Sequence, residues 1–85
     1  MPAAHWFVYM VRCSDGTLYT GITADLAARI NKHNSGQGAK YTRSRRPVCL
    51  VWSEEVVSRS LAGRREAEIK KLSRLEKEKL ITVSV

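Results

Sequence analysis

The chain has 85 residues, 44% of them hydrophobic, and carries a net charge of +7. A chain this short is expected to form a single domain over residues 1–85, with a shallow site rather than a deep chamber. The charge favours an anionic partner, nucleic acid before an acidic membrane, although a basic protein without such a partner has the same composition. No apolar run reaches the ~18 residues of a membrane span and the start shows no secretory signal, so we expect a cytoplasmic protein without membrane partners.

Two strands joined by a tight turn are predicted at the start of the chain. Residues 6–12 are aromatic and β-branched, which predicts a strand buried on both faces. Ser14-Asp15-Gly16 predicts the turn, and residues 17–22 predict the second strand.

The length of that turn decides where two tyrosines point. In a three-residue loop Gly16 takes the left-handed position, Val11 faces Tyr19 and Tyr9 faces Gly21. Both tyrosines then share one face of the sheet, because side chains alternate along a strand. A two-residue Asp-Gly turn instead puts them on opposite faces, and in either case they can be ordinary strand aromatics. Gly21 weakens a strand, which indicates a close approach of the backbone to another group.

The first helix is predicted from about residue 24 to 32, with Thr23 as its N-cap. The helical period places Leu26, Arg29, Ile30 and His33 on one face, which is expected to point inward. Two of these four residues are polar. A buried guanidinium has to meet a carboxylate, a phosphate or the edge of a cleft. Alternatively, Arg29 extends beside the core into solvent and His33 caps the end of the helix.

The rest of the chain predicts a basic loop over residues 40–46, a third strand over 48–53, and two helices. The first of these is capped by Ser60 and ends near Leu72, and the second opens with the capping-box pattern that starts at Ser73. The expected class is therefore α+β in the order β-β-α-β-α-α, a small three-stranded antiparallel sheet flanked by helices.

One glutamate is placed nearer the core than its neighbours. Glu66 shares a helical stripe with Ala62 and Ile69, and a carboxylate at a cleft of a basic protein can anchor a divalent cation beside phosphate. The alternative is an exposed Glu66–Lys70 ion pair one turn apart.

The basic loop combines positive charge with an aromatic ring. Such loops contact phosphate oxygens, and the aromatic residue can stack on a base. A solvated run of charges is the alternative. The predicted nucleic-acid-binding residues are Lys40, Tyr41, Arg43, Arg45 and Arg46.

These residues together resemble the GIY-YIG nuclease family along nearly the whole chain, most closely its small stand-alone bacterial branch. Phe7-Val8-Tyr9 stands where that family has Gly-Ile-Tyr, and Tyr19-Thr20-Gly21 where it has Tyr-Ile-Gly. Arg29 matches the family's catalytic arginine, His33 follows one turn later, and Glu66 matches the metal-binding glutamate.

The resemblance implies an endonuclease that hydrolyses DNA by a one-metal mechanism, in DNA repair or processing. Glu66 would hold one Mg²⁺ or Mn²⁺ ion, Arg29 would clamp the phosphate, and Tyr19 would activate the attacking water. Tyr9 and His33 would orient these groups, and Gly21 would be a structural glycine at the site. The implied partners are nucleic acid, with DNA favoured over RNA, and an accessory DNA-binding protein.

Two departures from the family keep other functions open. Many members have an asparagine after the glutamate, whereas the asparagines here are Asn31 and Asn34. The family's nucleases also usually add a separate DNA-binding domain, for which 85 residues leave no room. The first alternative is a non-catalytic DNA-binding module with a nuclease-like fold, and the second is an adaptor that binds proteins through its basic C-terminal helices.

Overall fold

Three antiparallel strands form one sheet in the computed structural model, which describes residues 5–83. β1 spans Trp6–Arg12, β2 spans Leu18–Thr23 and β3 spans Cys49–Val56. Their spatial order is β2-β1-β3, so β1 is the central strand and pairs on both edges. The predicted antiparallel sheet is confirmed, and β3 continues three residues beyond its predicted end. The first four residues, on which the expectation of no secretory signal partly rests, lie outside the described range.

The first hairpin has the register of the three-residue loop. Tyr9 is paired with Gly21 and Val11 with Tyr19. Gly16 has a φ of +86°, in the left-handed region that favours glycine, and Cys13 N donates to the carbonyl oxygen of Thr17 at 2.8 Å. The prediction that Tyr9 and Tyr19 share a face is confirmed, and the two-residue turn is excluded.

Four helices complete the fold: α1 (Leu26–Ser35), α2 (Lys40–Arg43), α3 (Arg59–Lys70) and α4 (Arg74–Val83). The predicted order is confirmed with one addition, because α2 lies inside the segment that was predicted to be a loop. A single helical turn is too short to show an apolar period, and its basic composition is that of a solvated loop. No helix among the described residues has the length and apolar character to cross a bilayer.

Two predicted helix caps are wrong by two residues. Asp25 rather than Thr23 caps α1, since its carboxylate accepts a hydrogen bond from Ala28 N at 3.1 Å. The Thr23 hydroxyl instead accepts from Asp25 N at 3.1 Å and closes the turn before the helix. Ser58 caps α3 in place of Ser60. Each error has the same cause, because two residues with equal capping chemistry stand two positions apart.

The sheet is covered on both faces. α3 packs against β1 and β2, and the buried core that it joins contains Val8, Met10, Trp52, Ala62 and Ile69. The opposite face holds a second buried cluster, which is formed by Tyr9, Val11, Cys13 and Val48. Two partly buried side chains of α1, Leu26 and Ile30, pack against it. β1 therefore has no solvent-facing side in its middle, as predicted.

α4 is attached to the central strand by a network of charged groups. Arg12 donates to both carboxylate oxygens of Glu78 at 2.9 and 2.7 Å, and Arg74 donates to the same carboxylate at 3.0 Å. The pKa of Glu78 is lowered to about 2, first by its hydrogen bond with Arg12 and then by that with Arg74.

We expect this carboxylate to make the stability of the protein dependent on pH. Because the folded pKa of about 2 lies below the ordinary 4.5, the network stabilises the fold above pH 4.5, and that stability is lost as pH falls through about 2. Glu78→Gln should lower the free energy of unfolding at neutral pH, and the difference from wild type should shrink to zero in that acid range. Urea unfolding of both proteins at a series of pH values measures this difference in the free energy of unfolding. A difference that does not change with pH would contradict the assignment.

Candidate active site

A buried chain of hydrogen bonds links β1 to α1 and α2. Tyr9, His33 and Thr42 are each fully buried, with 0% exposure. The Tyr9 hydroxyl lies 2.8 Å from His33 Nε2 and accepts a hydrogen bond from Arg29 Nε at 3.2 Å. On the other side of the imidazole, His33 Nδ1 lies 2.7 Å from Thr42 Oγ1. The inward direction predicted for Arg29 and His33 is confirmed, and His33 lies in the core rather than capping the helix in solvent.

The second tyrosine lies at the more open side of this chain. Tyr19 is partly exposed, and its ring centroid is 6.5 Å from that of Tyr9 and 5.4 Å from that of His33. Tyr41 stacks on it from α2, with centroids 5.9 Å apart and an interplanar angle of 23°. The structure thus brings four of the predicted catalytic residues together: Tyr9, Tyr19, Arg29 and His33.

Burial and the Arg29 charge set the protonation of the cluster. Burial raises the pKa of Tyr9 against the opposing effect of the Arg29 hydrogen bond and charge. Burial, and then the charge of Arg29, lower the pKa of His33. The hydrogen bond with Tyr9 is the main cause that raises the pKa of Arg29, and interactions with Tyr19 add to it. At neutral pH the site therefore contains a cationic Arg29, a neutral His33 and a protonated Tyr9.

Arg29 has no acidic partner among residues 5–83. Of the ion pairs formed within residues 5–83, none includes it. Its side chain borders a shallow hollow of about 360 Å³, which Trp6, Ile22 and Lys32 also line. Asp25 borders the same hollow, but its carboxylate caps α1. A partly buried guanidinium that borders a cleft and forms no ion pair within residues 5–83 is well placed to receive an anion.

Two glycines allow the buried chain to form. A Cβ atom on Gly21 would lie 2.6 Å from the Tyr9 hydroxyl oxygen, and one on Gly38 would lie 2.5 Å from His33 Nδ1. Both positions therefore admit no side chain without displacing a member of the site. Gly21 is the close approach that the sequence predicts.

Glu66 lies on α3, and its side chain is 24% exposed. It forms the ion pair with Lys70 that was the alternative prediction, at 3.2 Å. Its charge also acts on Tyr9, where it contributes to raising the hydroxyl pKa.

The donor chemistry around Glu66 fits one hard divalent cation. The described part of the chain holds no group of three metal-ligating side chains. Mg²⁺ needs no such group, because it keeps several waters and binds through one or two carboxylates together with phosphate oxygens. Glu66 could supply that carboxylate once it is released from Lys70.

The five predicted nucleic-acid-binding residues divide into two kinds. Lys40 and Arg43 are exposed, and their side chains make no hydrogen bond or ion pair within the described range. Arg45 donates to Asp15 at 3.0 Å and lies 4.0 Å above the Tyr41 ring. Arg46 donates to the carbonyl oxygens of Arg43 and Asn34. Two cations are thus free to meet phosphate, while Arg45 and Arg46 are also used to hold the α2 segment.

Sequence analysis missed the roles of two further residues. Thr42 stands in a run of basic residues, where no periodicity indicates that it is buried. Asn34 uses its amide to bind both polar groups of the Val48 backbone, at 3.1 and 2.7 Å. It is therefore committed to the fold and does not replace the asparagine that is missing after Glu66.

Comparison with known proteins gives consistent matches. Residues 5–79 match the family model described as the GIY-YIG catalytic domain. A UPF0213 protein of Desulfotalea psychrophila is 58% identical over 80 residues, which is 93% of this chain and 73% of the relative. A UPF0213 protein of Staphylococcus aureus strain Mu3 is 57% identical over 75 residues, 88% of this chain and 92% of the relative.

Two solved structures share the fold. The solution NMR structure of a UPF0213 protein from Bacillus halodurans is 48% identical, with a TM-score of 0.60, and the match covers 93% of this chain and 84% of that one. The solution NMR structure of an E. faecalis protein is 40% identical, with a TM-score of 0.62, and the match covers 94% and 86% of the two chains.

Proposed function

This chain belongs to the GIY-YIG family, and from that premise we propose that it is an endonuclease that hydrolyses DNA phosphodiester bonds with one Mg²⁺ or Mn²⁺ ion. The observation that carries the proposal is the placement of Arg29. It is bound to Tyr9, lies beside Tyr19 and has no acidic partner within residues 5–83. A cation held in this way matches the charge of a phosphate that is about to be cleaved.

Arg29 is the phosphate clamp of the proposed mechanism. Its Nε–H donates to the buried Tyr9 hydroxyl, which fixes the plane of the guanidinium. A guanidinium has N–H groups beyond the one bound to Tyr9, and these would donate to phosphate oxygens. Negative charge grows on these oxygens in the transition state, so a guanidinium held in place beforehand stabilises the transition state more than the bound substrate.

The two tyrosines have different tasks. Tyr9 is fully buried and keeps its proton, so it orients Arg29 rather than touching the attacking water. Tyr19 is partly exposed and, as the phenolate, takes the proton of that water as general base. The guanidinium of Arg29 lies beside it and offers that phenolate a neighbouring positive charge. His33 supports Tyr9 from behind.

Glu66 would hold the metal ion, which when bound supplies Lewis-acid neutralisation of the phosphate charge. Lys40 and Arg43 would contact neighbouring phosphates from α2. Tyr41 is 39% exposed even with Tyr19 stacked on it, so part of its side chain would be accessible to the nucleic acid.

A second candidate is a DNA-binding module without turnover. It is favoured by the state of Glu66, which is paired with Lys70 and belongs to no group of three metal-ligating side chains in the described chain. Such a module would bind DNA through phosphate contacts that weaken as salt rises, without need of a metal.

Cleavage assays on labelled branched, single-stranded and double-stranded DNA with Mg²⁺ test the proposal. Wild type should cut at least one of these substrates. Glu66→Gln should lower the rate by about 10²- to 10³-fold, since loss of one group that stabilises transition-state charge costs about 3–4 kcal/mol.

The matched control is Glu68→Gln, a more exposed carboxylate on the same helix that pairs with Arg65. It should cleave at the wild-type rate. Intact substrates under every condition, or cleavage that survives Glu66→Gln, would refute the nuclease. Salt-sensitive, metal-independent DNA binding that is unchanged in Glu66→Gln, without any cleavage, would establish the binding module instead.

A further inference from the structure

The buried hydrogen-bond chain has a direction, which follows from what each group can donate. A guanidinium only donates, so the Tyr9 oxygen is the acceptor of the bond from Arg29 Nε at 3.2 Å. The Tyr9 proton must then go elsewhere, and the atom within reach is His33 Nε2 at 2.8 Å. For this bond to form, Nε2 has to be the unprotonated nitrogen of the imidazole.

The other end of the chain imposes the same arrangement independently. The Thr42 hydroxyl donates to the carbonyl oxygen of Ala39 at 3.0 Å, so its single proton is already used. Its contact with His33 Nδ1 at 2.7 Å is then a bond in which Nδ1–H donates to the hydroxyl oxygen. The reverse tautomer would face Nδ1 with an oxygen that has no second proton to give.

We infer that Thr42 is a positioning residue whose hydroxyl holds the proton of His33 on Nδ1, and that this choice orients Tyr9 and through it Arg29. Its effect on cleavage rests on the proposed nuclease function, but its effect on the tautomer does not. With Nε2 unprotonated, the Tyr9 O–H points at His33 and the lone pairs of its oxygen face Arg29. With the proton on Nε2, Tyr9 would have to accept from both sides, and its own proton would have no acceptor in the described chain.

Of the groups around His33, Thr42 determines which ring nitrogen holds the proton. The imidazole is fully buried, so hydrogen bonds with bulk water do not determine its tautomer. Burial also lowers the His33 pKa, which keeps the ring neutral, and a neutral ring holds its proton on either Nδ1 or Nε2. Tyr9 favours the same tautomer only through the bond that it accepts from Arg29, because a phenol can donate or accept, whereas the hydrogen bond to Ala39 commits Thr42 to accepting.

The same turn of helix supports the second tyrosine. Tyr41 precedes Thr42 in α2 and stacks on Tyr19, so two consecutive residues contact the two halves of the site. The segment that carries the free cations Lys40 and Arg43 is thereby connected directly to the catalytic tyrosines.

The tautomer of His33 is read from the ring ¹⁵N chemical shifts of the full chain in the absence of DNA. Wild type should carry its proton on Nδ1, and so should Thr42→Ser, which keeps the hydroxyl. Thr42→Val, which keeps the shape and removes the hydroxyl, should weaken this preference and raise the share of the Nε2–H form, because Arg29 and Tyr9 then favour Nδ1–H without an acceptor at Nδ1. Tyr9→Phe should retain the proton on Nδ1, because Thr42 still accepts it.

Several results would overturn the inference. They are an Nε2–H tautomer in wild type, an unchanged Nδ1–H tautomer in Thr42→Val, or loss of the Nδ1–H tautomer in Tyr9→Phe. The wild-type and Tyr9→Phe spectra decide the question even if Thr42→Val does not fold.

Cleavage kinetics provide the functional reading. Thr42→Val should lower kcat by about 10- to 100-fold, the range found when hydrogen-bond partners that orient ligating histidines are removed, with little change in KM. Thr42→Ser should restore most of the rate. Equal rates in the two variants would overturn the positioning role. If wild type cuts nothing, the nuclease proposal fails, while the spectra still confirm or refute the role of Thr42.

Discussion

Replacing Arg29 with alanine should lower the rate of DNA cleavage by about 10³-fold or more, the lower end of the range measured for arginines that stabilise phosphoryl-transfer transition states. The variant removes the one cation that is bound to Tyr9, lies beside Tyr19 and has no acidic partner in the described residues. Lysine should restore little of this rate, because an ammonium cannot donate to Tyr9 and to two phosphate oxygens in one plane. Single-turnover assays with Mg²⁺ measure the effect.

The same variant has a readout that needs no substrate. The charge of Arg29 lowers the pKa of His33, so its removal should raise that pKa, while burial continues to hold it below the ordinary value. An NMR titration of the His33 ring measures the shift. The control is Arg64→Ala, an exposed cation of α3 that lies outside the site and should change neither the rate nor the His33 pKa. Wild-type cleavage by Arg29→Ala would exclude Arg29 as the clamp.

Replacing Gly21 with alanine should both destabilise the protein and remove the activity. The new Cβ would lie 2.6 Å from the Tyr9 hydroxyl oxygen and 2.8 Å from Cζ of the same ring. The ring has to move, although it is fully buried. Overpacking of this kind costs about 1–3 kcal/mol, and the displaced hydroxyl also loses Arg29 and His33.

Gly63→Ala is the matched control for that experiment. A Cβ at this position in α3 meets no atom within 4 Å, so the substitution should stabilise the helix by up to about 1 kcal/mol. Urea unfolding of both variants gives the two free energies of unfolding, with opposite signs relative to wild type. If Gly21→Ala were as stable and as active as wild type, the close contact with Tyr9 would not limit the site.

Features of the sequence that depend on local geometry were predictable. The position of Gly16 and the alternation of strand side chains were enough to place Tyr9 and Tyr19 on one face. The helical period was enough to turn Arg29 and His33 inward. Both conclusions follow from the geometry of one strand pair or one helix, so no knowledge of the rest of the fold is required.

Features that depend on distant contacts were not predictable. α2 is a single turn, and its Thr42 is buried because His33, on another helix, supplies a partner for the hydroxyl. Nothing in residues 40–46 indicates that partner. The helix caps were displaced for a related reason, since Thr23 and Asp25 have the same capping chemistry and the surrounding fold decides between them.

The central position of β1 has a consequence for how the site meets a substrate. Tyr9 is on a strand that is paired at both edges and covered on both faces, so its conformational freedom is lost when the chain folds and not when DNA binds. Arg29 takes its orientation from that fixed hydroxyl. The floor of the site is therefore preorganised, and the entropic cost of closing on a substrate falls on the exposed side chains of α2, which can rearrange without disturbing the sheet.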